Sequence, residues 1–263
     1  MLTSIGLGLV VGVILALTGA GGGILAVPLL IFGTGASVAE AGPIGLMAVG
    51  MAAALGAVLG LRAGIVRYRA AVLIAATGML LSSAGLWAAR QIDGRWLAVL
   101  FALVLLLVAL KTFRQASGKG TTASAEHIVC KRNGESGRFI WTRPCAMAMT
   151  LSGGLAGLLS GLLGVGGGFV MVPALQRYTD LPMKSAVATS LAVIALISLM
   201  GVTATAVSGH LDWALALPFS AGALAGMLGG RSLASRLAGP QLQKGFASVS
   251  ALVAIAMIVK AVS

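Results

Sequence analysis

One glycine–proline motif occurs twice in this chain, each time inside an uncharged apolar run too long to cross a bilayer as one straight helix. Residues 19 to 30 read Gly-Ala-Gly-Gly-Gly-Ile-Leu-Ala-Val-Pro-Leu-Leu, and residues 164 to 175 read Gly-Val-Gly-Gly-Gly-Phe-Val-Met-Val-Pro-Ala-Leu. The first copy lies within residues 2 to 32, which carry no charge. A straight helix of that length would run about 46 Å, against a hydrocarbon core of about 30 Å. Glycine is a poor helix former and proline removes a backbone donor, so each motif is expected to break its helix. Broken backbone at membrane depth is tolerated only where protein or a water-filled cavity satisfies its peptide groups. The two breaks are therefore the first candidates for a substrate site.

Composition fixes the class. The chain of 263 residues is 59% hydrophobic and only 9% charged. Soluble domains carry about 25% charged residues, so this is read as an all-α integral membrane protein. Part of the glycine excess, 38 residues, is ordinary close packing of membrane helices. The net charge of +12 does not indicate nucleic acid, because the charges fall in loops, as a topology signal does. Cys130 and Cys145 show no metal-ligand spacing and are read as plain thiols, and no metal or other cofactor is expected. The N-terminus lacks a basic region before its apolar run and is read as retained rather than as a cleaved signal.

Further uncharged runs follow at 41–61, 70–89 and 96–110, the last lengthened by snorkelling of Lys111 and Arg114. Residues 115–143 form a polar, basic connector. The pattern then returns, with a broken run at 144–176 and crossings at 185–209, 213–230 and about 245–259. Pro218 is a candidate kink. The halves, 1–114 and 144–263, align without a gap at an offset of 145. Between positions 12 and 30, nine residues match, from Gly12 on Gly157 to Leu30 on Leu175. Farther on, Gly56 falls on Gly201, Gly85 on Gly230 and Phe101 on Phe246. The chain thus reads as about eight apolar helical segments in two repeats, each a glycine-broken first segment plus three crossings. Internal duplication of this kind is typical of transporters.

Charge chooses between two topologies. If every block crosses once, about 11 basic residues lie inside and about 7 outside, a poor separation. If each broken block folds back as a re-entrant hairpin, the halves are inverted. Only Arg90, Arg95 and Lys260 then lie outside, against 15 basic residues on the cytoplasmic side with the connector. Inverted repeats with external termini are the expectation.

These residues resemble the TauE/SafE sulfite exporter family, also called TSUP or DUF81. The resemblance rests on the duplicated Gly-x-Gly-Gly-Gly-x-x-x-Val-Pro, the Thr189-Ser190-Leu191 that follows, and Gly209-His210-Leu211-Asp212-Trp213 beyond. It covers nearly the whole chain apart from the connector. It implies transport of sulfur-containing anions such as sulfite, sulfoacetate, thiosulfate or other organosulfonates, typically outward across a bacterial inner membrane. One departure stands out: the first half has Ile44-Gly45-Leu46 where the second has Thr189-Ser190-Leu191. The hydroxyl pair is present once, so the site should be asymmetric.

The candidate substrate-binding residues are Gly21, Gly22, Gly23, Val27 and Pro28 in the first half and Gly166, Gly167, Gly168, Val172 and Pro173 in the second, with Thr189 and Ser190. A helix restarting after a break presents free amides and a positive dipole end, which suits an anion. Bare tight packing of glycines is the competing reading. Thr189 and Ser190 could donate to an oxyanion without a buried charge, or simply bond back to their own helix. Arg177 and Lys184 read as topology markers, with attraction of anions at the cytoplasmic mouth as the alternative, and His210 with Asp212 as a solvated turn, with a proton-coupling pair as the alternative. Gly134-Glu135-Ser136-Gly137 matches an intramembrane-protease motif but lies in the connector, so no enzyme is expected. The expected partners are a small anion and the lipid bilayer, with no nucleic acid; a homodimer is compatible with the sequence. A passive anion channel, or a carrier of another small solute, is the alternative function.

Overall fold

The computed structural model describes residues 2–19, 21–116, 129–130, 139, 141–165, 167–207, 212–237 and 240–262. Among these, the first half forms α1 (Leu2–Thr18), α2 (Gly21–Thr34), α3 (Val38–Arg62), α4 (Tyr68–Gln91) and α5 (Gly94–Ala116). The second forms α6 (Arg143–Leu163), α7 (Gly168–Tyr178), α8 (Met183–Val207), α9 (Trp213–Leu237) and α10 (Pro240–Val262). The described residues contain no strand beyond one isolated bridge. Adding 145 to the bounds of α3 returns those of α8, so the sequence offset survives as structure.

Six helices (α3, α4, α5, α6, α8 and α9) are long and apolar enough to cross a membrane. The outward side chains agree with that. Leu80, Trp87, Leu107, Leu151, Leu199 and Leu252 are all more than half exposed. Water would penalise such a surface, whereas hydrocarbon does not. The helices of the two breaks differ in length. α1 has 17 residues, α2 has 14 and α7 has 11. At about 1.5 Å per residue each falls short of the hydrocarbon thickness. α6, with 21 residues, is long enough to cross, so the two halves are not equal here.

Glycines fix how the halves interlock. On α1, a Cβ at Gly8 or Gly12 would overlap the carbonyl oxygens of Phe219 and Ala223 on α9. From the other side, Gly222 and Gly226 abut the carbonyls of Ile5 and Leu9. The equivalent contacts recur between α6 and α4: Gly153 on Ile74, Gly157 on Gly78 and Gly161 on Ser82. Each half thus sends its first helix onto the fourth helix of the other. Without a hydrophobic force between membrane helices, backbone approach through small residues supplies the dispersion contact that holds them.

The contact registers also give direction. Along α1 and α9 the residue numbers rise together. Between α3 and α8 they run opposite: Gly50 meets Ser198, Gly56 meets Leu191 and Gly60 meets Ala188. Helices equivalent by sequence therefore point in opposite directions, which is what inverted repeats require.

Two expectations change. Pro28 and Pro173 do not break helices; they lie inside α2 and α7. The breaks sit just before, at Gly19 and Gly164, both in the left-handed region with φ of +73° and +69°. Each closes its helix by donating its N–H one turn back, Gly19 to Leu15 O at 2.8 Å and Gly164 to Ser160 O at 2.9 Å. This is a left-handed helix C-cap, a conformation only glycine adopts without strain. Gly21 to Gly23 are then the first turn of α2. The second change concerns the cysteines. Cys130 and Cys145 are not free thiols but a disulfide, with Cα atoms 5.0 Å apart. Their separation of 15 residues in sequence carries no ligand spacing, which is why the pairing was not legible.

Candidate hairpin-tip site

α2 folds back along α1. Gly22 packs on Leu15 and the Val11 carbonyl, and Gly33, farther down, packs on Leu7. α1 and α2 are therefore an antiparallel hairpin whose tip is the Gly19 break. The second hairpin, α6–α7, has its tip at Gly164 to Gly167, where Gly167 is also left-handed (φ +65°) and sits on the Ala156 carbonyl.

The start of α2 meets the tip of the second hairpin. An ideal Cβ at Gly23 would lie 2.6 Å from the Val165 carbonyl oxygen and 3.4 Å from the Val49 side chain. Gly42 of α3 faces the Cα of Gly164. Val49 is near the middle of α3, close to where α3 crosses α8 at Gly50 and Ser198. Gly19 packs on Val187 near the start of α8, so the two breaks lie toward opposite ends of the antiparallel α3–α8 pair, and it is the first turn of α2 that reaches Val165 beside the middle of α3. Beside Val165 lies a space of only about 10 Å³, room for a single water at most, lined by Ile24, Phe101, Val104, Leu105, Leu163 and Val165. All six side chains are apolar.

The expected site residues distribute as follows. Gly22, Gly23, Val27 and Pro28 are buried in α2, Gly167 and Gly168 are buried at the start of α7, and Val172 is buried deeper in that helix. Val27 packs against α3 at Gly45. Gly21 opens α2, and Pro173 in α7 is half-buried. Gly166 lies outside the described residues, as do His210 and the Gly134–Gly137 motif. Each proline deprives the carbonyl four residues earlier, that of Ile24 or Phe169, of its helical donor.

Thr189 and Ser190 are not between the tips. They follow Val187, which packs on Gly19. The Ser190 hydroxyl donates to the Val187 carbonyl at 2.8 Å. Thr189 Oγ1 accepts the backbone N–H of Arg67 at 3.1 Å, tying the α3–α4 turn to α8. Both hydroxyls therefore have protein partners, and both residues are fully buried.

Three residues were missed by sequence reasoning. Arg67 has a buried Nε with no hydrogen-bond partner among the described residues. Ser160 and Ser198 have buried hydroxyls in the same condition. Ser160 lies one turn before the Gly164 break, and Ser198 packs on Gly50. A buried polar atom without a partner costs free energy, so each is a place where a ligand or water would be favourable. The only signal for Ser160 was its spacing from Gly164. In the sequence Ser198 is one serine among many.

A lipid-facing helical bundle of interlocked inverted repeats, each with a glycine-broken hairpin, defines a multi-pass membrane protein of transporter architecture. The comparisons agree. Residues 4–257 match the model of the family described as Sulfite exporter TauE/SafE. A "Probable membrane transporter protein" of Xylella fastidiosa (strain 9a5c) is 34% identical over 263 residues, covering 98% of this chain and 95% of that protein. "Probable membrane transporter protein YunE" of Bacillus subtilis (strain 168) is 28% identical over 229 residues, covering 82% of each. No solved structure matches the chain. The chain belongs to the TauE/SafE sulfite exporter family, and is a membrane transporter rather than an enzyme.

Proposed function

We propose that this transporter moves small sulfur-containing anions, such as sulfite or organosulfonates, outward across a bacterial cytoplasmic membrane. The observation that carries the reading is the contact of the α2 start with the tip of the second hairpin, Gly23 against Val165, beside the middle of α3. There the helix starts of α2 and α7 bring backbone amides and positive dipole ends together without a fixed cation. The bound anion would contact Gly21 to Gly23 and Gly166 to Gly168. Val27, Pro28, Val172 and Pro173 shape the apolar walls. Thr189 and Ser190 border the first tip, and Ser160 is the nearest orphan hydroxyl at the second.

The proposed cycle is alternating access. The repeats, 1–114 and 144–263, rock about the tips and open them to one side at a time. The helix directions bring the ends of α3, α5, α7 and α9 to one face, together with the starts of α4, α6, α8 and α10. By sequence that face collects 15 of the 18 basic residues, the connector's included. The positive-inside rule makes it cytoplasmic, with both termini external. Arg67, at that face, would attract anions to the cytoplasmic mouth.

The test is a thermal-shift screen of the purified protein against sulfite, thiosulfate, sulfoacetate, taurine, sulfate and non-sulfur anions, followed by flux in proteoliposomes. Stabilisation by sulfur oxyanions and saturable flux are expected. Stabilisation only by non-sulfur solutes would overturn the substrate class. Unsaturable flux carried as current would make the protein a channel.

A further inference from the structure

The connector carries chemistry that transport through the hairpin tips does not use. Cys130 belongs to the connector, and Cys145 lies in the first turn of α6. Their disulfide is fully covered, with Cys130 0% and Cys145 1% exposed. Cys130 also grips the far end of the same hairpin. The backbone N–H groups of Val129 and Cys130 both donate to the carbonyl of Tyr178, the last residue of α7, at 3.2 and 2.9 Å. Cys130 then pairs with Thr179 as an isolated parallel bridge. Thr142 caps α6 by accepting the Cys145 N–H at 3.3 Å. Phe139, Met149, Met171 and Leu175 pack in the same buried cluster. The disulfide therefore ties Cys130 to the start of α6, and the Val129 and Cys130 amides tie the same segment to the end of α7, so it bridges the open end of the hairpin.

The side of the membrane gives this bond its meaning. The start of α6 and the end of α7 share the basic face, which the sidedness given under Proposed function makes cytoplasmic. Disulfides are rare in a reducing cytosol, and those that occur there are mostly transient, catalytic or redox-sensing. A structural staple would be expected on the other face.

We propose that Cys130 and Cys145 form a redox-responsive dithiol–disulfide site. Oxidised, it latches the Val129–Cys130 segment to the open end of the α6–α7 hairpin; reduced, it frees that end to move. The exchange partner is a cytosolic dithiol. Its thiolate attacks one sulfur of the Cys130–Cys145 bond and forms a mixed disulfide, and its second thiolate then resolves that bond. The products are two protein thiols and the oxidised partner, so two electrons and two protons pass to the protein. Both sulfurs are covered, so attack requires the Val129–Cys130 segment to lift from Tyr178.

The inference rests on the sidedness reading but not on the substrate, and its test separates the two. Amide exchange is measured on purified protein, oxidised and after reduction. Closing a loop of 15 residues weights the docked state by roughly a hundred-fold on the chain-entropy account. The Val129 and Cys130 amides are therefore expected to exchange roughly a hundred-fold faster after reduction. The double variant Cys130→Ser, Cys145→Ser should match the reduced form under both conditions. Equal exchange in oxidised and reduced protein would overturn the latch. In growing cells, acid-trapped thiols are counted by mass-tagged maleimide before and after a membrane-permeant oxidant. A dithiol that becomes a disulfide on oxidation is expected. A pair already fully oxidised in untreated cells would overturn the redox role and place the connector on the oxidising side. Failure of the anion reading would instead appear as absent flux in both redox states, with the exchange difference intact.

Discussion

Gly23→Ala adds one methyl group at the contact between the start of α2 and the second hairpin tip. An ideal Cβ there would stand 2.6 Å from the Val165 carbonyl oxygen. That is well inside van der Waals contact, and the opposing atom is backbone, so no rotamer change relieves it. One of the two must shift. Overpacking of this kind costs about 1–3 kcal/mol. At about 1.4 kcal/mol per factor of ten, the population with the two in contact falls by roughly 5- to 150-fold. If anion is bound at this contact, saturable flux in proteoliposomes should drop by a comparable factor, while membrane insertion stays normal. Gly6→Ala in α1 is the matched control, because nothing lies within 4 Å of its Cβ position. There the exchange improves helix propensity and should leave flux unchanged. Undiminished flux and an unchanged substrate-induced thermal shift in Gly23→Ala would refute the reasoning that the tip junction is the site.

Thr189→Val removes the acceptor of the Arg67 N–H and should lower thermal stability by about 1–3 kcal/mol, with Thr189→Ser restoring it. A change in substrate affinity without any loss of stability would make Thr189 a ligand rather than a staple. Gly12→Val and Gly157→Val occupy equivalent places on α1 and α6, and each should reduce detergent melting temperature substantially and to a similar degree, since both push a side chain into an opposing carbonyl. A large effect from one and none from the other would contradict the matched exchange of first helices. At the start of α3, Ser37 Oγ accepts the Glu40 N–H and the Glu40 carboxylate accepts the Ser37 N–H at 2.9 Å. Ser37→Ala breaks this capping box and should cost about 0.5–2 kcal/mol in unfolding free energy, measured by thermal melting.

Much of this molecule is written locally. Runs free of charge mark α3, α4 and α8 to within a few residues, because the thickness of hydrocarbon sets the length of a crossing. The offset of 145 carried the repeat, and Gly19 and Gly164 occupy the same place in it. Basic residues gathered at one set of helix ends were readable as a face, because charge in a membrane protein has few places to go. What composition could not distinguish was which glycine in each cluster breaks the helix. Gly19 and Gly164 do so through φ, whereas Gly22 and Gly23 are glycine because another backbone lies where a side chain would be.

Contacts between residues far apart in the chain were decided only by the tertiary structure. The packing of α1 on α9 and of α6 on α4 pairs elements from different halves, and no local period encodes which half a glycine stripe will meet. The same holds for the Arg67 N–H held by Thr189 and for the Cys130–Cys145 bond. Hydrophobic runs specify that a segment enters the membrane, since that depends on its own transfer free energy. They do not specify its neighbour, because lipid and protein interior are about equally apolar and only shape complementarity chooses between them. The sequence alone therefore determined the spans, the duplication and the charged face. The contact of the first turn of α2 with the second glycine tip is a property of the packed bundle.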